Sequence, residues 1–435
     1  MRVWFRALLM AGLMVGSAHA ATDIDMYFPV PVQGRLSNEM QRLIGEFNKQ
    51  HPDINVTPVY TGSYDDTNLK TRAAIQAGHS PAVVIMSANF IREYVINNDI
   101  APLDPLIAAD GQTDDAYMDQ FWPPLRQNAT ADGHVYGAPF QNSTPVMYYN
   151  VQAFREAGLD PDHPPATWQE WVDDAKKLTK RDGNTVTRYG LMMVSTYDTL
   201  GWLVSGFAMS NGGEYYNTGY GGEVYYNTPT TLGAVQFMDD LVHKFHVMPE
   251  GVTDPNAVGA AFFSGRAAMI VNSTGALSFV RENMKQPYRV AFVPRAMQNA
   301  VAIGGASLII PRGNSPERQK AAWTLIKWLT SPAVAGGWSR FTGYFAPNRH
   351  AYDLPEMQAY LKQYPDAKVA LDQLAYARSW FATYNTVAVR KAMEDQVQAV
   401  LSGRIKPAEA VANAQHTADE IMRPYVEQTA LKLPQ

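Results

Sequence analysis

Apolar residues recur along the first ninety positions with two alternating periods. Residues 23–28 read as a short strand. Met40, Leu43, Ile44 and Phe47 then fall three or four apart, the face of a helix with Ser37 as its N-cap and Pro52 closing the segment. Ile54-Asn55-Val56-Thr57 alternates with the period of a half-buried strand, and Gly62-Ser63-Tyr64 is a turn opening a second helix that runs to about Gly78. The stretch 82–86 is apolar throughout between polar flanks, as in a strand covered on both faces. This strand–helix–strand–helix–strand order predicts an α/β fold with a parallel sheet.

The stretch 138–150 divides the chain. It passes through Gln141-Asn142-Ser143-Thr144 and becomes an apolar, strand-like run ending at Asn150. It reads as a crossing from one lobe to another that shows hydroxyls and amides to a ligand, although a plain connector fits these residues equally well. Beyond it the pattern restarts. Thr167 and Glu170 form a capping box for a helix carrying Trp168, Trp171, Val172, Ala175 and Leu178 on one face, and 189–194 reads as a strand. The glycine- and tyrosine-rich patch at 212–227 predicts a surface hairpin with half-buried rings, or a loop that stacks on a ligand. A helix carrying Leu232, Val235, Met238 and Leu241 follows. Strands are expected at 267–271, 288–293 and 303–310, the last with Gly304-Gly305 at its mouth, and a helix over 316–329. From Pro332 the pattern is mainly helical, with a turn at Thr342-Gly343-Tyr344 and two terminal helices near 387–401 and 407–425.

A chain of 435 residues is long for one domain and points to two or three. With 46% hydrophobic and 18% charged residues it can build a full core. A net charge of −5 leaves no basic excess for nucleic acid. Residues 1–20 have the anatomy of an export signal: Arg2 and Arg6, an apolar run over 7–16, and Ala18-His19-Ala20 as a cleavage site after Ala20. The apolar run is short for a membrane span. Without cysteine there is no disulfide and no thiol for a lipid anchor, so a soluble monomer of a Gram-negative periplasm is expected.

Catalytic words are missing. The chain has no Gly-x-Ser-x-Gly elbow, no phosphate-binding loop and no dinucleotide fingerprint, and neither cofactor nor metal is expected. His243 and His246 lack a third ligand at sensible spacing and read as solvated surface, while Asp239 and Asp240, adjacent on a helix, point apart. A glycoside hydrolase remains open, since its two carboxylates need not be close in sequence.

Several words together resemble the extracellular solute-binding proteins of ABC importers (family 1), most of all the members that take glycerol 3-phosphate. They are the signal, the 139–150 stretch, Ala153-Phe154 with Ala157-Gly158-Leu159-Asp160-Pro161, Pro164-Pro165 with Thr167-Trp168, Phe263 with Gly265, and Gly304-Gly305-Ala306-Ser307. The resemblance spans essentially the whole chain after the signal. It implies a two-lobed binding protein (type II) with a hinge and a ligand cleft between the lobes. Lobe 1 would be about 21–138 plus 294–330 and lobe 2 about 139–293 plus 331–435, with passes near 137–141, 288–293 and 329–332. It further implies capture without chemistry and delivery to the permease subunits of an ABC importer with an ATPase behind them.

The positions that match the family's ligand contacts are Tyr64, Ser143, Gly305, Tyr344 and Arg390 around the phosphate, Arg390 as the full charge opposing the anion, and Ser273 nearer the glycerol. The match departs at Ala88, where the family has a glutamate, and near Pro29-Val30-Pro31, where it has a Trp-His pair. The expected solute is therefore glycerol 3-phosphate, a glycerophosphodiester or a related organophosphate whose organic part differs. A neutral sugar stacked on Trp168, Trp338, Trp380 or the tyrosine patch is the alternative, and a periplasmic hydrolase the third reading.

Overall fold

Burial on both faces marks the third strand of the chain, while the first two alternate buried with half-exposed positions. In the computed structural model, which describes residues 21–29 and 34–430, β1 (Thr22–Pro29) pairs in parallel with β2 (Ile54–Gly62) and β3 (Val83–Ser87). Every residue of β3 is buried, as its unbroken apolar run requires. The expected signal at 1–20, with Val30 and Pro31, lies outside the described residues. Helix α1 (Arg35–Gln50) buries Met40, Leu43, Ile44 and Phe47, but it starts before Ser37. Ser37 is its third residue and reaches back to accept the Gly34 N–H at 2.9 Å. Helix α2 (Tyr64–Gln76) is capped by Ser63, whose hydroxyl accepts from Asp66 N–H at 3.1 Å.

Two five-stranded sheets organise the chain. The remaining strands are β4 (Ala138–Ser143), β5 (Pro145–Asn150), β6 (Lys180–Asp182), β7 (Thr185–Met193), β8 (Ala267–Ser273), β9 (Tyr288–Ala291) and β10 (Gly304–Ile309). The first sheet runs β2-β1-β3-β10-β4 and the second β9-β5-β8-β7-β6. The first is mixed rather than wholly parallel, because β10 runs antiparallel to both β3 and β4. Each sheet has its own hydrophobic core. The expected capping box at Thr167 and Glu170 opens α3 (Trp168–Leu178), and α4 (Thr199–Ser210) is buried along its length. Later come α5 (Pro316–Leu329), α6 (Pro332–Thr342) and the mutually packed pair α7 (Thr386–Leu401) and α8 (Pro407–Thr429).

The chain changes sheets later than the expected passes. Residues 138–143 are still a strand of the first sheet. Val301-Ala302 pairs with Ala377-Arg378 beside the second core, so the return falls at about 303. Trp338 on α6 stacks on Phe140 of the first core at 5.9 Å, and only after Tyr344 does Phe345 join the second core. Apolar packing, invisible in local pattern, draws α6 onto the first half.

Three aromatic expectations are corrected by burial. Trp168 lies flat on Phe237 at 4.1 Å, and Trp338 is fully buried, so neither faces a solute. In the tyrosine patch Tyr215, Tyr216 and Tyr226 are core residues around Phe381, joined by one bridge between Tyr216 and Val224 rather than by a hairpin ladder. His243 is not simply solvated, because its Nδ1 lies 2.7 Å from Asp239 one turn earlier, while Asp240 pairs with Lys244. Among the described residues no helix is long and apolar enough to cross a membrane.

Candidate functional site

Four strand ends meet where the chain crosses between sheets. Thr144 alone links β4 to β5. Ser143, the last residue of β4, lies opposite Gly304, the first of β10, and Pro145 lies opposite Ser273, the last of β8. The crossing is strapped. Thr144 and Thr274 exchange two hydrogen bonds of 2.9 and 3.2 Å, and Gln373 Nε2 donates to Pro145 O at 2.6 Å and Thr144 Oγ1 at 3.2 Å. Sheet register therefore carries the two serine hydroxyls to one place, the kind of switch point at which α/β folds bind ligands.

That place is a cavity of about 400 Å³, within the usual range for small-molecule sites. Of the six positions named from the sequence, Tyr64, Ser143, Ser273, Gly305 and Tyr344 line it. Two larger grooves, of about 990 and 670 Å³, contain none of the six. Gly305 has φ 87°, and a Cβ there would stand 2.0 Å from Gln141 O, so no side chain fits. Tyr64 opens α2, and its hydroxyl accepts from Gln141 Nε2 at 2.9 Å. Burial holds the Tyr64 and Tyr344 phenols above their ordinary pKa, each close to the other, so both are neutral donors at physiological pH.

Arg390 is the departure. It does not line the cavity but stands behind two carboxylates that do, Asp65 and Asp198. It is 2% exposed and donates Nη2 to Asp65 at 2.8 Å, Nη1 to Asp198 at 3.0 Å and Nε to Glu394 at 3.3 Å. The expected lone charge facing an anion is thus corrected to a guanidinium with three carboxylate partners, because a buried cation needs neutralising. Burial opposes its charge, yet Asp198, Glu394 and Asp65 more than offset that, and its pKa is raised. Burial pushes Asp198 up to about 6 against the pull of Arg390. A third of the Asp198 side chain is accessible, on the cavity wall. Glu394, fully buried, is pushed up to about 7 by burial, with Arg390 again opposing.

Local structure builds this cluster. Asp198 sits in a γ-turn, φ 70° and ψ −62°, closed by Thr199 N–H to Tyr197 O at 2.9 Å; such strain is kept where the surroundings fix it. Gly201 in α4 donates its N–H to Glu394 at 3.0 Å, and a Cβ there would stand 2.9 Å from Arg390 Cγ. The sequence reading missed Asp65, Asp198 and Trp202, all on the cavity wall. A signal was present: Arg390 and Glu394 are one turn apart among Val389, Met393 and Val397, and charges on a buried helix face demand partners. Ala88 is buried and does not line the cavity, whereas Pro29 and Trp380 do.

A family model described as bacterial extracellular solute-binding protein matches residues 42–368. The chain belongs to this family. Its two-sheet architecture agrees with solved extracellular solute-binding proteins. The UgpB of Mycobacterium tuberculosis in complex with glycerophosphocholine superposes with TM-score 0.82 and 25% identity, covering 94% of this chain and all of that one. A maltose-bound protein of T. maritima superposes at 0.79 and 24% identity, covering 92% and 100%. In sequence, the sn-glycerol-3-phosphate-binding periplasmic protein UgpB of Pectobacterium atrosepticum is 29% identical across 96% of this chain and 95% of its own. Its Escherichia coli counterpart is 28% identical across 97% and 98%. Extracellular solute-binding proteins of ABC importers are exported and hand a small molecule to a permease and its ATPase; they are transport proteins rather than enzymes.

Proposed function

We propose that this protein is the periplasmic binding subunit for a small organophosphate, glycerol 3-phosphate or a glycerophosphodiester. The observation that carries this is the convergence of Tyr64, Ser143, Ser273, Gly305 and Tyr344, from separate elements, on one cavity with the Arg390 guanidinium behind its wall. Neutral phenols, serine hydroxyls and the Gly305 N–H are donors suited to phosphate oxygens. The glycerophosphocholine complex of the M. tuberculosis relative and the glycerol 3-phosphate named for the enterobacterial ones support the same solute class. The signal is removed after about Ala20, and the protein works as a monomer. Its two sheet-bearing lobes close over the solute, driven because the closed form alone brings both sets of donors to it, and reopen at the permease.

Titration calorimetry on the exported protein tests this. Glycerol 3-phosphate or glycerophosphocholine is expected to bind in the micromolar range or tighter and maltose not at all. Heat from maltose, with none from either phosphate ester, overturns the proposal. That outcome belongs to the second reading, a neutral sugar, which the Trp202 and Trp380 rings on the cavity wall favour.

A further inference from the structure

Arg390 has more carboxylate partners than one positive charge requires. Two of them belong to its own side of the cleft. Glu394 is on the same helix one turn on, fully buried and held by the Gly201 N–H, and Asp198 is fixed in its γ-turn. These two by themselves neutralise the guanidinium. The third, Asp65, comes from α2 on the first sheet, across the cleft. Its side chain is 40% exposed on the cavity wall, one oxygen on Arg390 Nη2 and the other, Oδ1, with no partner among protein atoms. Its neighbour Tyr64 and the facing Tyr344 both lie near enough to Asp198 to feel its charge, so the phenols, Asp65 and Asp198 share one corner of the cavity with the guanidinium behind it.

We propose that Asp65 holds the place of the solute's anionic group on Arg390, and that binding exchanges its carboxylate for the phosphate. The inference rests on the organophosphate reading and deepens it. A phosphate entering this corner meets Asp65 as a like charge on the Nη2 donor it needs, so it must displace that carboxylate. The backbone need not move, because Ser63 and Asp66 cap α2 independently of the Asp65 side chain. A neutral polyol cannot compete for a guanidinium already paired, whereas a phosphate brings charge and several acceptor oxygens. Asp65 thus admits only an anion able to displace a carboxylate from Arg390, and it lowers the affinity for that anion while leaving a neutral polyol unaffected.

The test is Asp65→Asn, which keeps shape and removes charge, compared with the wild type by calorimetry against glycerol 3-phosphate, glycerophosphocholine and glycerol, with a thermal melt confirming that both fold. The variant is expected to bind the phosphate esters about tenfold more tightly, the scale of one charged contact, with no gain for glycerol. Weaker or unchanged binding of phosphate esters by Asp65→Asn, where the wild type binds them, overturns the placeholder role and leaves the organophosphate reading standing. A wild type that binds no phosphate ester overturns both.

Discussion

A guanidinium buried among three carboxylates is a structural group before it is a recognition group. Among the described residues, removing it takes the only cation from beside Glu394, which is fully buried, and from beside Asp198 on the cavity wall. Arg390→Ala is therefore expected to lower the free energy of unfolding by about 3–5 kcal/mol in urea titration, the usual cost of orphaning a buried ion pair. A loss below about 1 kcal/mol would show the cluster to be solvated. The raised carboxyls add a pH dependence with a definite sign. The folded protein keeps protons on Asp198 and Glu394 up to about pH 6 and 7, which the unfolded chain releases near 4. Stability from these groups is present at low pH and falls as pH rises between about 4 and 7. Relative to Glu394→Gln, the wild-type melting temperature should decline across that window; a constant difference would mean that Glu394 titrates as an ordinary acid. Arg390 and Glu394 stand in the sequence for anyone to see, but the Asp65 and Asp198 partners are 325 and 192 positions away. Nothing local announces such a pairing.

At the scale of elements, the crossing is tied down by a buried side chain. Gln373 accepts from Val293 N–H at 2.8 Å and donates to Thr144 and Pro145, so one buried amide ties the passage at 144 to the end of β9. Gln373→Ala strands a buried N–H and a carbonyl and should cost roughly 2–3 kcal/mol, measured by the shift in the urea midpoint at constant m-value. Gly305→Ala meets both a positive φ and Gln141 O, and its cost should exceed the roughly 1 kcal/mol of an ordinary strand substitution. Periodicity made α1, α3 and β3 legible, and the Thr167–Glu170 box gave the start of α3 to the residue. It placed the start of α1 three residues late, because Gly34 caps that helix and Ser37 serves from inside it. It also read buried core tyrosines at 212–227 as a surface hairpin, since glycine-rich spacing looks alike whether the rings face water or Phe381.

For the whole molecule, any solute that binds only the closed, folded form must stabilise it. Glycerol 3-phosphate at a hundred times its Kd should raise the unfolding free energy by about 2.7 kcal/mol, read as a higher melting temperature; no rise at millimolar solute would exclude it as a ligand. The interlobe ties are uneven, and they include buried hydrogen bonds from Thr386 to Glu93 and Asn89 and between Asn128 and Trp380. Arg390–Asp65 is buried on one side, while Arg35–Glu282, at 3.0 Å, is exposed on both and contributes at most about 1 kcal/mol. By itself the sequence determined the order and period of the strands and helices, the cysteine-free character of the chain and the hydroxyl-rich crossing, because each is set by side chains within a few residues of one another. The tertiary structure decided where the chain changes sheets, which tryptophans are core and which face the cavity, and that Arg390 meets three carboxylates. Those outcomes depend on how two separately packed sheets lie against each other, and a local pattern carries no information about a neighbour hundreds of residues away.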